Sequence, residues 1–427
     1  MLQEKGSKVQ EITSLLPDIQ DPQIEFCLLR SCLSLPKIMF TLRTVDTTAH
    51  RPLLTQFDLT TREAINRILG APLSDLQWRQ AKLPVALGGM GLRAAMDHGA
   101  AAFSTSLLQS QPMVRQLLNT AEDEPTPLSP AVLATLSIQL NEEATVESLT
   151  GLTQRMVSTK IDLANQTLLS TRILEAGERE IARMASLSLP QAGSWLNCPP
   201  LPALGLHLRG PEFVVAAKFR LGMPVYNSAG SCPACGRHSD MMGDHGMVCG
   251  TGGERIARHN ALRDALHDTA AAAGLAPQKE GRALLPGNNQ RPADIFIPRW
   301  AGGRDAALDV TVTHPLQDAT RARAATEPGY ALTAAYKNKM RGTAEQCDQQ
   351  GIAFIPVVAE SLGGWHKVAL EQMRKLGSAL ARHTGQEEGE TIGHLLTRAS
   401  VLLQKGLSAL LLNRIPGHPL PAIGGVE

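Results

Sequence analysis

A multidomain chain is predicted from this sequence: a mostly α-helical N-terminal half, a cysteine-rich knuckle, then a small α/β domain with a mixed sheet. Three observations predict it. Alanine, leucine and glycine are plentiful while aromatics make up only 4%, which favours helices. Cys232, Cys235 and Cys249 cluster with His245 in one short stretch. After that stretch the apolar pattern becomes helix, three short strands, helix, strand, the order of a compact α/β domain. At 427 residues the chain exceeds one ordinary core, so two or three domains are expected.

Taken in order, Leu28, Leu29, Cys32, Leu33 and then Ile38, Met39, Leu42 recur at helical spacing, with Pro36 breaking the run. Helices continue over 51–120. Between them the glycines of Gly88-Gly89-Met90-Gly91-Leu92-Arg93 require a tight turn before a helix from Ala94 to Gln109. An acidic, proline-marked linker spans 120–135, and helices resume from 130 to about 188. Gly193 to Pro200 reads as a second linker and a domain boundary. Pro211 to Leu221 is a short helix leading into the knuckle at 231–250. Glu254 to Ala273 is a helix with Ile256, Leu262, Leu266 and Ala270 on one face, ended by Gly274. Strands are expected at 278–285, 291–297 and 306–312. A helix follows over 319–350, broken at Pro328-Gly329, then a strand over 352–358 and a helical region over 364–413. Residues 384–391 read as an exposed loop, and the tail from Gly417 to Pro421 as disordered.

Composition narrows the function classes. The formal net charge is +1, so any phosphate-binding surface must come from local charge. Seven cysteines, three of them in one cluster, do not make a disulfide framework, and a reducing compartment is expected. The N-terminus lacks the apolar core of a signal peptide. No run of 18 apolar residues is visible, so neither a membrane-spanning helix nor a membrane partner is expected. No targeting signal is visible.

Two constellations can carry chemistry. The knuckle reads C-x2-C-x9-H-x3-C through Cys232, Cys235, His245 and Cys249. Two thiolates from one tight turn, with a histidine and a cysteine one helical turn apart, suit tetrahedral zinc. Four protein ligands close the site, so the role is structural. His238 is an alternative to His245, and chance clustering of buried cysteines is the bland reading. The second constellation is Asp294 and Asp309, each in a short apolar strand, with fourteen residues between them. Adjacent strands lie about 5 Å apart, so the two carboxylates can hold one hard divalent cation, Mg²⁺ or Mn²⁺. Strand-end aspartates also cap turns, the bland role assigned to Asp305. Arg291 is an alternative partner for the carboxylates. Glu254 is a candidate third acid, although a first-turn glutamate is also favoured by the helix dipole. Arg258, His259 and Arg263 can face phosphate or solvent. Lys337 or Lys339 can reach over the acid pair.

These residues together resemble the C-terminal part of early-branching non-LTR retrotransposon proteins. In that family a Cys-Cys-His-Cys knuckle precedes an Arg-His-Asn motif, a Lys/Arg-Pro-Asp strand and a second acidic strand. The matching residues are Cys232, Cys235, His245 and Cys249; Arg258-His259-Asn260; Arg291-Pro292-Ala293-Asp294; and Asp309. The resemblance covers roughly 200–365 and implies a restriction-endonuclease-like domain of the PD-(D/E)XK superfamily. Two departures stand out: Ala293 is inserted before Asp294, and Thr311 occupies the usual lysine position. The lysine of related elements is displaced to the following helix, which points to Lys339 ahead of Lys337. Leu28 to Lys37 and the Leu83-Pro84…Gly88–Arg93 segment resemble the thumb and linker after a reverse transcriptase palm. No Tyr/Phe-x-Asp-Asp box occurs, so a chain unable to polymerise DNA, a truncated or degraded retrotransposon product, is expected.

The resemblance divides the chain into a thumb/linker-like remnant (1–120), a helical linker (121–195), a linker helix with the zinc knuckle (196–250), the endonuclease domain (251–365) and a helical tail (366–427). It implies a metal-dependent DNA endonuclease that nicks target DNA. Asp294, Asp309, Lys339 and Glu254 would be catalytic, and Arg258, His259, Arg263 and Arg291 would bind nucleic acid. The element's RNA is a second expected partner and the nucleus the expected location. The rival expectations are a zinc-containing DNA- or RNA-binding remnant without cleavage, and a helical adaptor over 1–190 with an inert C-terminal part.

Overall fold

The computed structural model describes residues 2–119, 128–281 and 293–416. Arg291 and Pro292, the 120–127 part of the acidic linker and the 417–421 tail lie outside them. Helices make up 65% of the structure, so one small mixed sheet is the only β scaffold beyond a short hairpin among the described residues. The chain separates into two compact units between Glu175 and Ala176. That division lies ahead of the 193–200 stretch where the sequence places a boundary.

The first unit is helical throughout its described residues: α1 (Leu2–Ser14), α2 (Pro22–Leu28), α3 (Leu35–Thr44), α4 (Arg51–Leu69), α5 (Asp75–Lys82), α6 (Ala95–Leu118), α7 (Pro130–Leu140), α8 (Val146–Leu149) and α9 (Gln154–Ile173). Pro36 sits in the first turn of α3, where its missing N–H costs nothing. Leu35, Ile38 and Leu42 of that helix, at helical spacing, pack on Val9, Leu54 and Phe57. The glycine cluster makes the expected turn. A Cβ on Gly89 would lie 2.0 Å from the Leu83 carbonyl oxygen, so only glycine fits. α6 then starts on a half-buried acid, the Asp58 carboxylate, which accepts from the Ala95 and Met96 amides at 2.7 and 3.0 Å.

The second unit contains α10 (Glu178–Leu187), α11 (Gly210–Arg220), β1 (Gly230–Ser231), β2 (His238–Ser239), α12 (Asp244–Val248), α13 (Glu254–Ala272), β3 (Gln278–Lys279), β4 (Ile295–Ala301), β5 (Arg304–Thr313), α14 (Asp318–Thr326), α15 (Tyr330–Met340), α16 (Thr343–Gln349), β6 (Ile352–Glu360), α17 (Lys367–Thr384) and α18 (Glu388–Leu412). The sheet order is β3-β4-β5-β6, antiparallel across β3, β4 and β5 and parallel between β5 and β6. The parallel pair follows from the helical crossover α14–α16. That crossover is three helices: the expected break falls at Gly329 and a second at Gly342, at φ +79° and +82°.

Strand alternation divides the second core. Ile295, Ile297, Ala306, Leu308 and Val310 face α13, α17 and α18. Ala307 and Phe354 face the other way, against Cys347 of α16. Asp309, two residues after Ala307, belongs to that second face, the one α15 approaches. β5 is therefore apolar on both faces, as a central strand covered by helices on both sides should be. α18 is the one described helix long and apolar enough to cross a membrane by length and composition, and 67% of its apolar window is buried inside the protein. Its apolar sequence is not an unbroken run, because Arg398, Gln404 and Lys405 interrupt it.

A buried acid at the end of β6 has a measurable consequence. Glu360 is fully buried with no hydrogen-bond partner for either carboxylate oxygen, and burial pushes its carboxyl up to about 7. A raised carboxyl contributes its full stability only below its ordinary value near 4.5, and that contribution is lost as pH rises to about 7. Glu360→Gln is therefore expected to unfold like the wild type near pH 4. At pH 8 it should be more stable, by about 3 kcal/mol. Denaturant midpoints at the two pH values test this; an equal difference at both would overturn it.

Candidate functional site

The knuckle is built by a hairpin and a short helix. β1 and β2 pair Gly230 with Ser239 and Ser231 with His238. The turn between them carries Cys232 and Cys235, closed by bonds from the Cys232 amide to the Arg237 carbonyl and from the Gly236 amide to the Cys232 carbonyl, both 2.8 Å. His245 lies in α12, whose end places Cys249 one turn later. The ligand atoms of Cys232, Cys235, His245 and Cys249 all lie within 4.8 Å of one another, and Cys235 Sγ is 3.2 Å from His245 Nε2. Zinc–sulfur bonds of about 2.3 Å and zinc–nitrogen bonds of about 2.0 Å put tetrahedral ligands roughly 3.5–4 Å apart, so the group could hold a metal such as zinc. His238, the alternative ligand, is exposed in β2 and does not belong to the group.

A buried arginine secures this centre. Arg414, just beyond α18, is fully buried. It donates to the Thr251 carbonyl at 2.5 Å, the Leu410 carbonyl at 3.1 Å and the Glu254 carboxylate at 2.8 Å. Burial alone would raise the Cys249 thiol, but the Arg414 hydrogen bond and the Thr251 backbone hold it below its usual value. Glu254, expected as a third acid beside the aspartates, is instead engaged by Arg414 and by Asn413 at 3.0 Å. A first-turn glutamate suits the helix dipole equally well beside the knuckle, and here it faces that way.

The aspartates lie at the junction of α13, β4, β5 and α15. Asp294 precedes β4. Its amide donates to the Leu308 carbonyl at 3.0 Å, and its Oδ2 accepts from the Val310 amide at 2.6 Å, directly beside Asp309. Its Oδ1 is 3.1 Å from His259 Nε2. Asp309 Oδ1 and Oδ2 lie 3.2 and 2.9 Å from Lys339 Nζ. Burial raises the Asp309 carboxyl, Lys339 and His259 lower it, the neighbouring Asp294 charge raises it, and the net effect is upward. The Asp294 hydrogen bond, with the charges of Asp294 and Asp309, raises His259 above its ordinary value despite burial. Two carboxylates are thus held beside one ammonium and one imidazole. Lys337, the alternative lysine, is exposed on α15.

A cavity of about 400 Å³ opens beside this cluster, lined by Gly250, Gly252, Arg255, Ile256, Arg258, His259, residues 310–312 and Lys339. Thr311, at the usual lysine position, lines it. Arg258 is 5% exposed and Ile256 is 65% exposed, the reverse of the helical face expected from the sequence. Leu262, Leu266 and Ala270 are buried as a stripe, and the position one turn before Leu262 is Arg258, while Ile256 falls well off that face. The arginine stem lies against α18, where a Cβ on Gly406 would come 2.3 Å from Arg258 Cγ. Burial, then the nearby Arg255, lowers Arg258 to about 10. Arg263 turns away into ion pairs with Asp264 at 3.0 Å and Glu280 at 2.9 Å.

Among the described residues, the Cys₃His group is the only set of three or more His, Cys, Asp or Glu side chains close enough to share a metal. Sequence reasoning missed the His259–Asp294 contact, because it depends on where α13 lies over the sheet. Nor did it single out Tyr336, one turn before Lys339, whose ring stacks on His366 at 4.3 Å; the i, i+3 spacing was its only signal. No protein-family model matches the chain, and neither does any curated protein.

Proposed function

We propose that the second unit is a Mg²⁺- or Mn²⁺-dependent DNA endonuclease domain of the non-LTR retrotransposon kind, with a PD-(D/E)XK-like fold, and that zinc in the knuckle is structural. The observation that carries this reading is the meeting of Asp294, Asp309 and Lys339 beside a cavity walled by basic side chains. Carboxylate oxygens are the donors a hard cation prefers, and those of Asp294 and Asp309 come from neighbouring strands. When bound, such a cation polarises a phosphate and lowers the pKa of a coordinated water. The chain's own part is to hold and orient. Asp294 is fixed by the Val310 amide and His259, and the Lys339 ammonium stands where it can steady charge growing on a phosphate. DNA is the proposed substrate and the element's RNA a proposed further partner. The absence of a Tyr/Phe-x-Asp-Asp box supports no polymerase activity.

A second reading, a zinc-containing nucleic-acid-binding domain without cleavage, is favoured by two facts. Thr311 replaces the usual lysine, and each aspartate already has a cationic neighbour, His259 or Lys339. Supercoiled plasmid with Mg²⁺ separates the two. The nuclease reading expects nicking by the wild type and none by Asp294→Ala. Equal nicking by both proteins, or none by either alongside retained mobility shifts, would leave the binding reading.

A further inference from the structure

The geometry points to a built anion site at the start of α13, in the cavity beside His259, that takes a backbone phosphate of the nucleic acid. Calling the phosphate a nucleic-acid phosphate rests on the proposed function; the anion site itself does not. Four side chains lining the cavity, Arg255, Arg258, His259 and Lys339, are basic, and no carboxylate lines it. His259 and Lys339 are matched by Asp294 and Asp309. Arg258 is not matched: its Nε and Nη1 are buried and have no hydrogen-bond partner. The Arg255 charge lies close enough to disfavour the Arg258 guanidinium.

Two guanidinium groups near each other, one of them desolvated, are stable together only if something negative joins them. The backbone supplies the same polarity. α13 is 19 residues long, and its amino end, with Gly252 before it, lies on the same cavity wall. The Glu254 carboxylate takes its own amide and is paired with Arg414, and the remaining first-turn N–H groups and the helix dipole favour a phosphate. Arg258 belongs to the second turn of α13 and lines the same cavity as Arg255 and Ile256 of the first turn, and helical side chains lean toward the amino end. Ile256, exposed on the same wall, gives an apolar surface for the sugar edge of a nucleotide.

The test uses the full zinc-loaded chain, without other divalent metal, titrated with inorganic phosphate against chloride at matched ionic strength. Saturable binding of the wild type is expected, at least tenfold weaker in Arg255→Met and in Arg258→Met, and displaced by a short DNA duplex. Arg255 is exposed, so its variant keeps the test valid if Arg258→Met does not fold. Lys375→Met, at an exposed lysine of α17 outside the cavity lining, should bind phosphate as the wild type does. Retained phosphate binding with no plasmid nicking would refute the nuclease and leave the anion site standing. Binding unchanged in both arginine variants, or no saturable binding at all, would overturn the site. Binding that the duplex does not displace would overturn its assignment to a nucleic-acid phosphate.

Discussion

Lys339→Met is expected to lower plasmid nicking by about 10²–10³-fold without unfolding the protein, the usual loss when one charge-stabilising donor is removed from an active site. Lys339 holds both oxygens of Asp309 and is half exposed, so its loss opens no buried cavity. It does change the balance at Asp309. Burial and the Asp294 charge both push that carboxyl upward, and Lys339 is the largest opposing influence. Without the ammonium the carboxyl should rise further, and a neutral Asp309 cannot help hold a cation. The residual activity of the variant should therefore recover at a higher pH than that of the wild type. Lys337→Met, altering an exposed lysine two residues earlier, should leave rate and pH profile unchanged. Equal losses in the two variants would mean that only the general charge of α15 matters. A Lys339→Met profile that is lower but not displaced would mean that the ammonium does not govern Asp309.

How much of this was legible in the sequence differs from element to element. The knuckle was legible because its ligands lie close together in sequence and a tight turn and one helical turn dictate their spacing. α13 was legible as a helix with an end near Ala273, but its face was misread. Periodicity identifies a stripe such as Leu262, Leu266 and Ala270, and the stripe was extended to Ile256, when the position that continues it is Arg258. A buried arginine beside an exposed isoleucine violates the ordinary partition, and such violations gather at functional sites. The Asp309–Lys339 contact could not come from spacing. Lys339 lies thirty residues away across a turn and two helices, and only the family resemblance set it ahead of Lys337. Glu254 was misassigned because an acid in a first helical turn has several uses, and only the position of Arg414, from the far end of the unit, selects one.

Stripping the metal centre should have the largest structural effect, and a local one. The hairpin of β1 and β2 has two paired positions and α12 has five residues, so neither is stable by itself. Metal binding by such a segment is worth about 10–16 kcal/mol in zinc-finger peptides, which is then free energy for folding it. Without metal nothing ties the four ligands together, while Arg414 keeps its pairing with Glu254. Loss of order should therefore reach Gly250 and Gly252 on the cavity wall and the end of α18, where the Tyr226 hydroxyl donates to the Leu411 carbonyl at 2.9 Å. The sheet core of β4, β5 and β6 under α13, α17 and α18 involves none of the four ligands and should survive. Hydrogen exchange followed by mass spectrometry, with and without a strong chelator, should show lost protection over about 226–256 and 408–414, with β5 and β6 still protected. Arg414→Met should give part of the same pattern with the metal present, because it leaves the Glu254 charge without its arginine. Unchanged exchange over 230–250 after complete metal removal would show that the four side chains do not need an ion to keep their places.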